Sequence, residues 1–376
     1  MHAVNRPSGA VKLPSSGNRA RLAWIGRAFL ALLAASAAYL IASKAWNEPI
    51  LLVQNVIDGL KLGFVYALIA LGYTMVYGIV KLINFAHGDV FMVGAFTSYF
   101  AVTKFNLHKW PQALFPGVPA GPSVVIGSAT VILLSMLLCA ALAVVIERVA
   151  YKPLREAPRI AALITAIGVS FFLEYFGNLQ FVYTPRFIPY KSPFDTVGWY
   201  IQGGIRRMVP GQESPANAIT FSNIFLIIMA ASVLVLVVLQ LIVRRTKIGV
   251  AMRAVSFDKP TARLMGIDAD RVITFTFAIG AAFAGLGGVL YAIAYSSINT
   301  LLGIMPGLKA FVAAVLGGIG SIPGAFVGAL IMGQAEALTM SYISTPMRDA
   351  VAFTILIIVL LVRPTGIFGE PDKEKA

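Results

Sequence analysis

Long apolar stretches recur along this chain between short polar loops, near 62–80, 82–103, 122–146, 160–183, 219–243, 272–298, 307–333 and 349–362. A run of about 18 apolar residues crosses a hydrocarbon core about 30 Å thick. Charge placement supports that use of them. Charged residues make up 12% of the 376 positions and hydrophobic residues 58%, whereas a soluble globular chain carries about 25% charge. A charge within hydrocarbon costs a few kcal/mol, so membrane spans exclude charge. Here the charges collect in loops rather than along one face of each helix, which excludes a large soluble helical core. The expected fold is all-α: a polytopic transmembrane helical bundle with 8–10 spans.

Loop charge orients the spans, because Lys and Arg concentrate on the cytoplasmic side. Loop 147–159 carries four basic residues and two acids, and loop 244–271 seven basic residues and three acids. Both are expected in the cytoplasm. Two spans separate them, so loop 184–218 falls outside, and counting backwards puts the N-terminus inside. Residues 1–27 are polar, with five basic residues and no acid, and read as a disordered cytoplasmic tail. Segment 28–43 reads as an extra N-terminal span, with a signal peptide as the alternative. Residues 370–376 form a second cytoplasmic tail. The net charge of +14 reflects these loops rather than a nucleic-acid partner.

Three segments stand out. The first is YGIVKLINFAHGDVFMVG (77–94), where Asn84, His87 and Asp89 interrupt two apolar runs with almost no loop. Such groups need a partner or a cavity. The segment reads either as a break lining a polar path or as a tight turn with Asp89 capping the next helix. The second is LKAFVAAVLGGIGSIPGAFVG (308–328), with breakers at Gly317, Gly318, Gly320, Pro323 and Gly324. It is expected to be broken or re-entrant, a form tolerated at membrane depth where protein or a cavity satisfies the backbone. Its amides can meet a carboxylate, or its small residues can serve close packing. The third is the basic loop RRTKIGVAMRAVSFDKPTARLMGIDADR (244–271). It reads as two short helices, one near 248–257 and one capped by Asp258 with Pro260 in its first turn and Gly266 at its end. That suits docking to a soluble partner.

Several chemistries are absent from the sequence. There is no G-x-x-x-x-G-K-[ST] phosphate-binding loop, no H-E-x-x-H and no G-x-S-x-G. The single Cys139 cannot form an intramolecular disulfide, and the three histidines do not cluster. The chain is therefore expected not to be an enzyme and to hold no metal or cofactor itself.

LKLGFVYALIALGYTMVYGIVKLINFAHGDVFMVGAF, the basic-loop segment through VITFTFAIGAAFAGLGGVLYA, GLKAFVAAVLGGIGSIPGAFVGALIMGQAEAL and the closing LVRPTGIFG resemble the branched-chain amino-acid ABC permeases of the LivH type. The resemblance runs from about residue 50 to 369, in the same order and spacing. It implies a transmembrane domain over 50–369 in the bacterial inner membrane. The implied partners are a second related permease chain, two cytoplasmic ATPases that bind ATP and Mg, and a periplasmic binding protein. It implies that the coupling element is the 249–266 segment, where Gly249, Arg253, Asp258, Ala262 and Gly266 match the family pattern. The implied cargo is leucine, isoleucine or valine, although permeases for urea and short amides look similar. Two further classes stay open from the residues alone. One is a self-sufficient secondary transporter with Asp89, Glu147, Glu174 or Glu336 as proton carriers, and the other is a passive channel with the Gly-rich segment as its filter.

Overall fold

The structure, a computed structural model, describes residues 39–369 apart from 40, 45, 83, 156, 209–214, 216, 217 and 364. Both tails and all of the expected extra span at 28–43 except residues 39 and 41–43 lie outside the described residues. The chain divides into residues 1–49 and 50–376. In the first unit the described residues are mostly helical.

The second unit is a helical bundle. Its elements are α1 (Pro49–Val80), α2 (His87–Thr103), the short α3 (Trp110–Leu114) and α4 (Ala120–Ile146). Next come α5 (Arg159–Gly177), α6 (Asn223–Arg245), α7 (Lys247–Phe257), α8 (Lys259–Leu264) and α9 (Ala269–Tyr295). The last are α10 (Ile304–Gly317), α11 (Ile322–Tyr342) and α12 (Met347–Val362). Among the described residues seven helices are long and apolar enough to cross a membrane, and eight if the bent pair 87–103 and 107–114 counts as one span. The expected range of 8–10 meets the structure at its lower bound. Segment 307–333, read in the sequence as one apolar stretch, is divided between α10 and α11. At 14 residues, α10 rises only about 21 Å, too short to span alone.

Burial sorts the helices into centre and periphery. In α1 and α9, 78% and 72% of the most apolar window is buried, against 22% in α5 and α6 and 6% in α12. A helix that is apolar all round must be covered by protein or lipid. Protein covers α1 and α9, while the outer helices leave residues such as Ile164, Phe172 and Leu361 exposed, as membrane-facing surfaces do. Small residues let the central backbones approach closely. The start of α2 meets the start of α10 at Gly88 and Gly303, where a Cβ on Gly88 would strike the Gly303 carbonyl.

Two ends of the bundle are recognisable from their contacts. At one, Tyr151 reaches Asn84, Arg155 reaches Asp270, and Gly320 lies beside Gly78. This is the basic end. At the opposite end Thr220 donates its amide to Gln54, and Ser341 bonds Asn55. Loop 184–218, expected outside the membrane, contributes β-structure there. Strands β1 (Ile188–Pro189), β2 (Gly198–Ile201), β3 (Ile205–Arg207), β4 (Ile219–Ser222) and β5 (Ser297–Ile298) form an antiparallel β1–β5 pair and an antiparallel sheet in the order β3-β2-β4. Arg206 pairs across from Tyr200 and Arg207 from Trp199, and both arginines are exposed.

Candidate functional site

The loop after α6 folds as the sequence predicts, into two short helices with explicit stops. Thr246 opens α7: its hydroxyl accepts from the Gly249 amide at 3.1 Å and donates to the Ile242 carbonyl at 2.6 Å. Gly249 sits where a side chain would strike the carbonyls of Ile242 and Val243, so its lack of a Cβ permits the sharp α6–α7 turn. Arg253 closes the same corner, donating to the Val243 carbonyl at 2.9 Å. It thereby satisfies an end-of-helix acceptor of α6. Asp258 caps α8 through the Thr261 amide at 3.2 Å and hydroxyl at 2.8 Å. Ala262 is buried, and its carbonyl accepts from the Ile267 amide at 3.0 Å. Gly266 has φ +81° with open space around it, the left-handed stop that favours glycine.

This element is tied to the bundle by charge. Arg155 pairs with both Glu147 and Asp270, and Asp270 also receives Arg263 at 3.1 Å and Lys152 at 3.3 Å. Glu147 is completely buried and accepts from the Thr274 hydroxyl at 2.8 Å. The bracket joins loop 147–159, which begins with a π-helical turn at Glu147–Tyr151, to α8 and the start of α9. No pairing of these groups is legible in the sequence, because a salt bridge between residues 115 positions apart has no local signature. Large apolar residues on the element face outward. Leu264 is 87% exposed and Met265 78%. The sequence did contain that signal, as bulky apolar residues within a charged loop.

Asn84, His87 and Asp89 are all buried. His87 begins α2, and its ring lies against Gly72 and edge-on to Tyr73. Gly72 precedes the end of α1 by eight residues, about 12 Å of helical rise. The chain therefore turns back into the bundle before α2 starts. The three polar groups face different partners. Asn84 accepts from the Tyr151 hydroxyl at 2.6 Å, and Asp89 accepts from the Ser170 hydroxyl at 2.5 Å. Of the two readings of this segment, the one with Asp89 as a helix cap is not realised, since the N-cap residue is Ala86 and no side chain caps it.

The Gly-rich break forms where the sequence places it. Gly318 and Gly320 adopt φ +106° and +99°. Gly317 and Gly324 are in backbone contact across the α10–α11 turn, as close packing requires. The amides of Gly318, Ser321 and Gly324 are already bonded, to Ala314 and Val315, to Gly318 and to the Ser321 hydroxyl respectively. The end of α10 is completed by the tail of the chain: Ile367 and Phe368 donate their amides to Leu316 and Gly317, each at 2.9 Å.

A charged cluster escaped the sequence reading apart from Glu336. Lys309 of α10 and Glu336 of α11 are each only 3% exposed and pair at 2.6 Å. Lys309 also meets Asp349 at 2.7 Å, and the Tyr66 hydroxyl donates to Glu336 at 2.8 Å. Arg348 borders the cluster, 3.5 Å from Asp349. Lys309 is the one charge within the 307–333 run, and that isolation was the available signal. Of the four acids considered as proton carriers, Glu147 and Glu336 are held in ion pairs, and Asp89 accepts from the Ser170 hydroxyl.

A family model described as "Branched-chain amino acid transport system / permease component" matches residues 55–360. The chain belongs to that family. It is 42% identical over 323 residues to the high-affinity branched-chain amino acid transport system permease protein LivH of Escherichia coli K12, covering 86% of this chain and 97% of that protein. It is 40% identical over the same shares to BraD of Pseudomonas aeruginosa. The xylose transport system permease protein XylH of Escherichia coli K12 is more distant, 27% identical over 190 residues that cover 44% of this chain and 48% of that protein. No solved structure matches. This chain is thus a multi-pass membrane permease of the branched-chain amino acid transport family.

Proposed function

We propose that this permease is one transmembrane subunit of an ATP-driven importer that moves leucine, isoleucine and valine across the bacterial inner membrane. The observation that carries the reading is the α7–α8 element. It is capped at both helix starts, stopped by Gly266, and bracketed through Asp270 to the bundle. It then presents Leu264 and Met265 outward at the basic end. Exposed apolar side chains on a rigid, charged element are the expected makeup of a protein interface. The partners there are two ATPases, which bind ATP and Mg. Gly249, Arg253, Asp258, Ala262 and Gly266 act as positioning residues for that contact. A second related permease chain completes the path. A periplasmic binding protein docks at the opposite end, where the β2–β3 hairpin exposes Arg206 and Arg207.

This orientation puts the N-terminus and the basic end in the cytoplasm, in keeping with the excess of Lys and Arg in loops 147–159 and 244–271. Within the chain, Asn84, His87 and Asp89 are the polar groups offered to the path. The names of the relatives with 40% identity or more support the substrate class. The test is a Leu264→Asp, Met265→Asp double variant, expressed together with candidate ATPase, second permease and binding-protein subunits. It should insert normally, lose co-purification of the ATPases and lose leucine uptake. Retained co-purification and uptake would show that the element is only a topological anchor. Uptake of urea in place of leucine by the intact complex would overturn the substrate class alone.

A further inference from the structure

A groove of about 600 Å³ opens at the basic end, between the last turns of the α4 region and the first turns of α9. It lies beside the bracket and is separate from the outward face of α8. Its walls differ in character. Along the spans the lining is apolar, from Val144, Phe275 and Ala278, apart from Thr274, whose hydroxyl is bonded to Glu147; Phe275 is 37% exposed. At the helix ends the lining is basic, from Arg148, Lys152 and Arg271. The two acids that also line it, Asp268 and Asp270, are already engaged. Asp268 caps α9 through the amides of Asp270 and Arg271, each at 3.1 Å, and pairs with Arg271 at 2.8 Å. Asp270 is shared by Lys152, Arg155 and Arg263. The groove and its bracket therefore set five cations against the three acids Glu147, Asp268 and Asp270.

Arg148 has the least to do within the protein. It is exposed and, among the described residues, makes no ion pair. Arg271 is 89% exposed although paired, and a guanidinium has five N–H donors, so one carboxylate leaves donors over. A groove that is apolar along a span and basic at its end matches one molecular shape: an acyl chain joined to an anionic head group. A free phosphate would leave the apolar wall bare, and a soluble nucleotide would not lie along a span.

We propose that this groove binds an anionic phospholipid, with the head-group phosphate between Arg148 and Arg271 and an acyl chain against Val144, Phe275 and Ala278. Lys152 belongs both to the groove and to the bracket, so the lipid sits against the frame that holds the α7–α8 element.

The experiment uses the full chain purified in detergent, loaded with phosphatidylglycerol or phosphatidylcholine and examined by native mass spectrometry. Phosphatidylglycerol should be retained at one copy above the phosphatidylcholine background. Arg148→Glu breaks no ion pair among the described residues, so the fold should persist while that copy falls by about tenfold, as expected when a basic contact near a head group is reversed. Phe275→Ala, which keeps the basic end, should weaken retention less. Unchanged retention in Arg148→Glu would overturn the proposal, and so would equal retention of the two lipids. Complete displacement by inorganic phosphate at the concentration of added lipid would also overturn it, because the apolar wall would then contribute nothing.

Discussion

Two ion networks in this molecule use similar residues and differ in how their charges are supported. The interior one, Lys309 with Glu336 and Asp349, ties α10 to α11 and α12, and its central pair is 3% exposed on both sides. The other, at the basic end, gathers Lys152, Arg155 and Arg263 around an Asp270 whose side chain is 34% exposed. A buried ion pair is weak evidence for net stability, yet removing one partner leaves an uncompensated charge that costs about 3–5 kcal/mol. A half-exposed carboxylate with three cations loses little when one leaves, since water and the remaining cations screen it. The interior network is therefore brittle and the bracket redundant, except at Arg155, the one cation among the described residues that pairs with both Asp270 and the buried Glu147.

Four substitutions test this difference. The largest loss is expected for Lys309→Met, about 3–5 kcal/mol, read as a lower thermal midpoint in detergent. Combining it with Glu336→Leu should recover most of the loss, because Asp349 keeps Arg348 nearby at 3.5 Å and an apolar pair replaces the buried charges. Wild-type stability in the single variant would mean that the network bears no structural load. Arg155→Gln comes next. It strips Glu147 of its cation but leaves the Thr274 hydroxyl at 2.8 Å, so about 1.5–3 kcal/mol is expected, together with weaker co-purification of the ATPases. Equal effects of Arg155→Gln and Arg263→Ala would erase the distinction drawn for Arg155. Arg263→Ala itself should cost only about 0.2–1 kcal/mol, within reach of a careful thermal comparison.

The networks also mark where sequence reading stops. Lys309 was visible as a lone charge in an apolar run, but its partners lie 27 and 40 positions away. The Arg155–Asp270 contact spans 115 positions. By contrast, the α7–α8 element was legible almost to the residue, because caps and stops are local: Asp258 acts within three residues, and Gly266 through its own φ. Asp89 shows the limit of local logic. An acid in a first turn reads as a cap, yet its carboxylate turns away to Ser170, 81 positions on.

The sequence by itself determined that this chain lives in a membrane, which of its loops are basic, where its helices break and which family it resembles. Those properties follow from length, charge exclusion and backbone chemistry, all of which act over a few residues. Tertiary structure decided which helices are central, how α10 and α11 divide one apolar stretch, that residues 367 and 368 complete the end of α10, and which charges neutralise one another. Those outcomes depend on which backbones can approach closely enough to exclude lipid and satisfy buried polar groups, and that is a property of the assembled bundle.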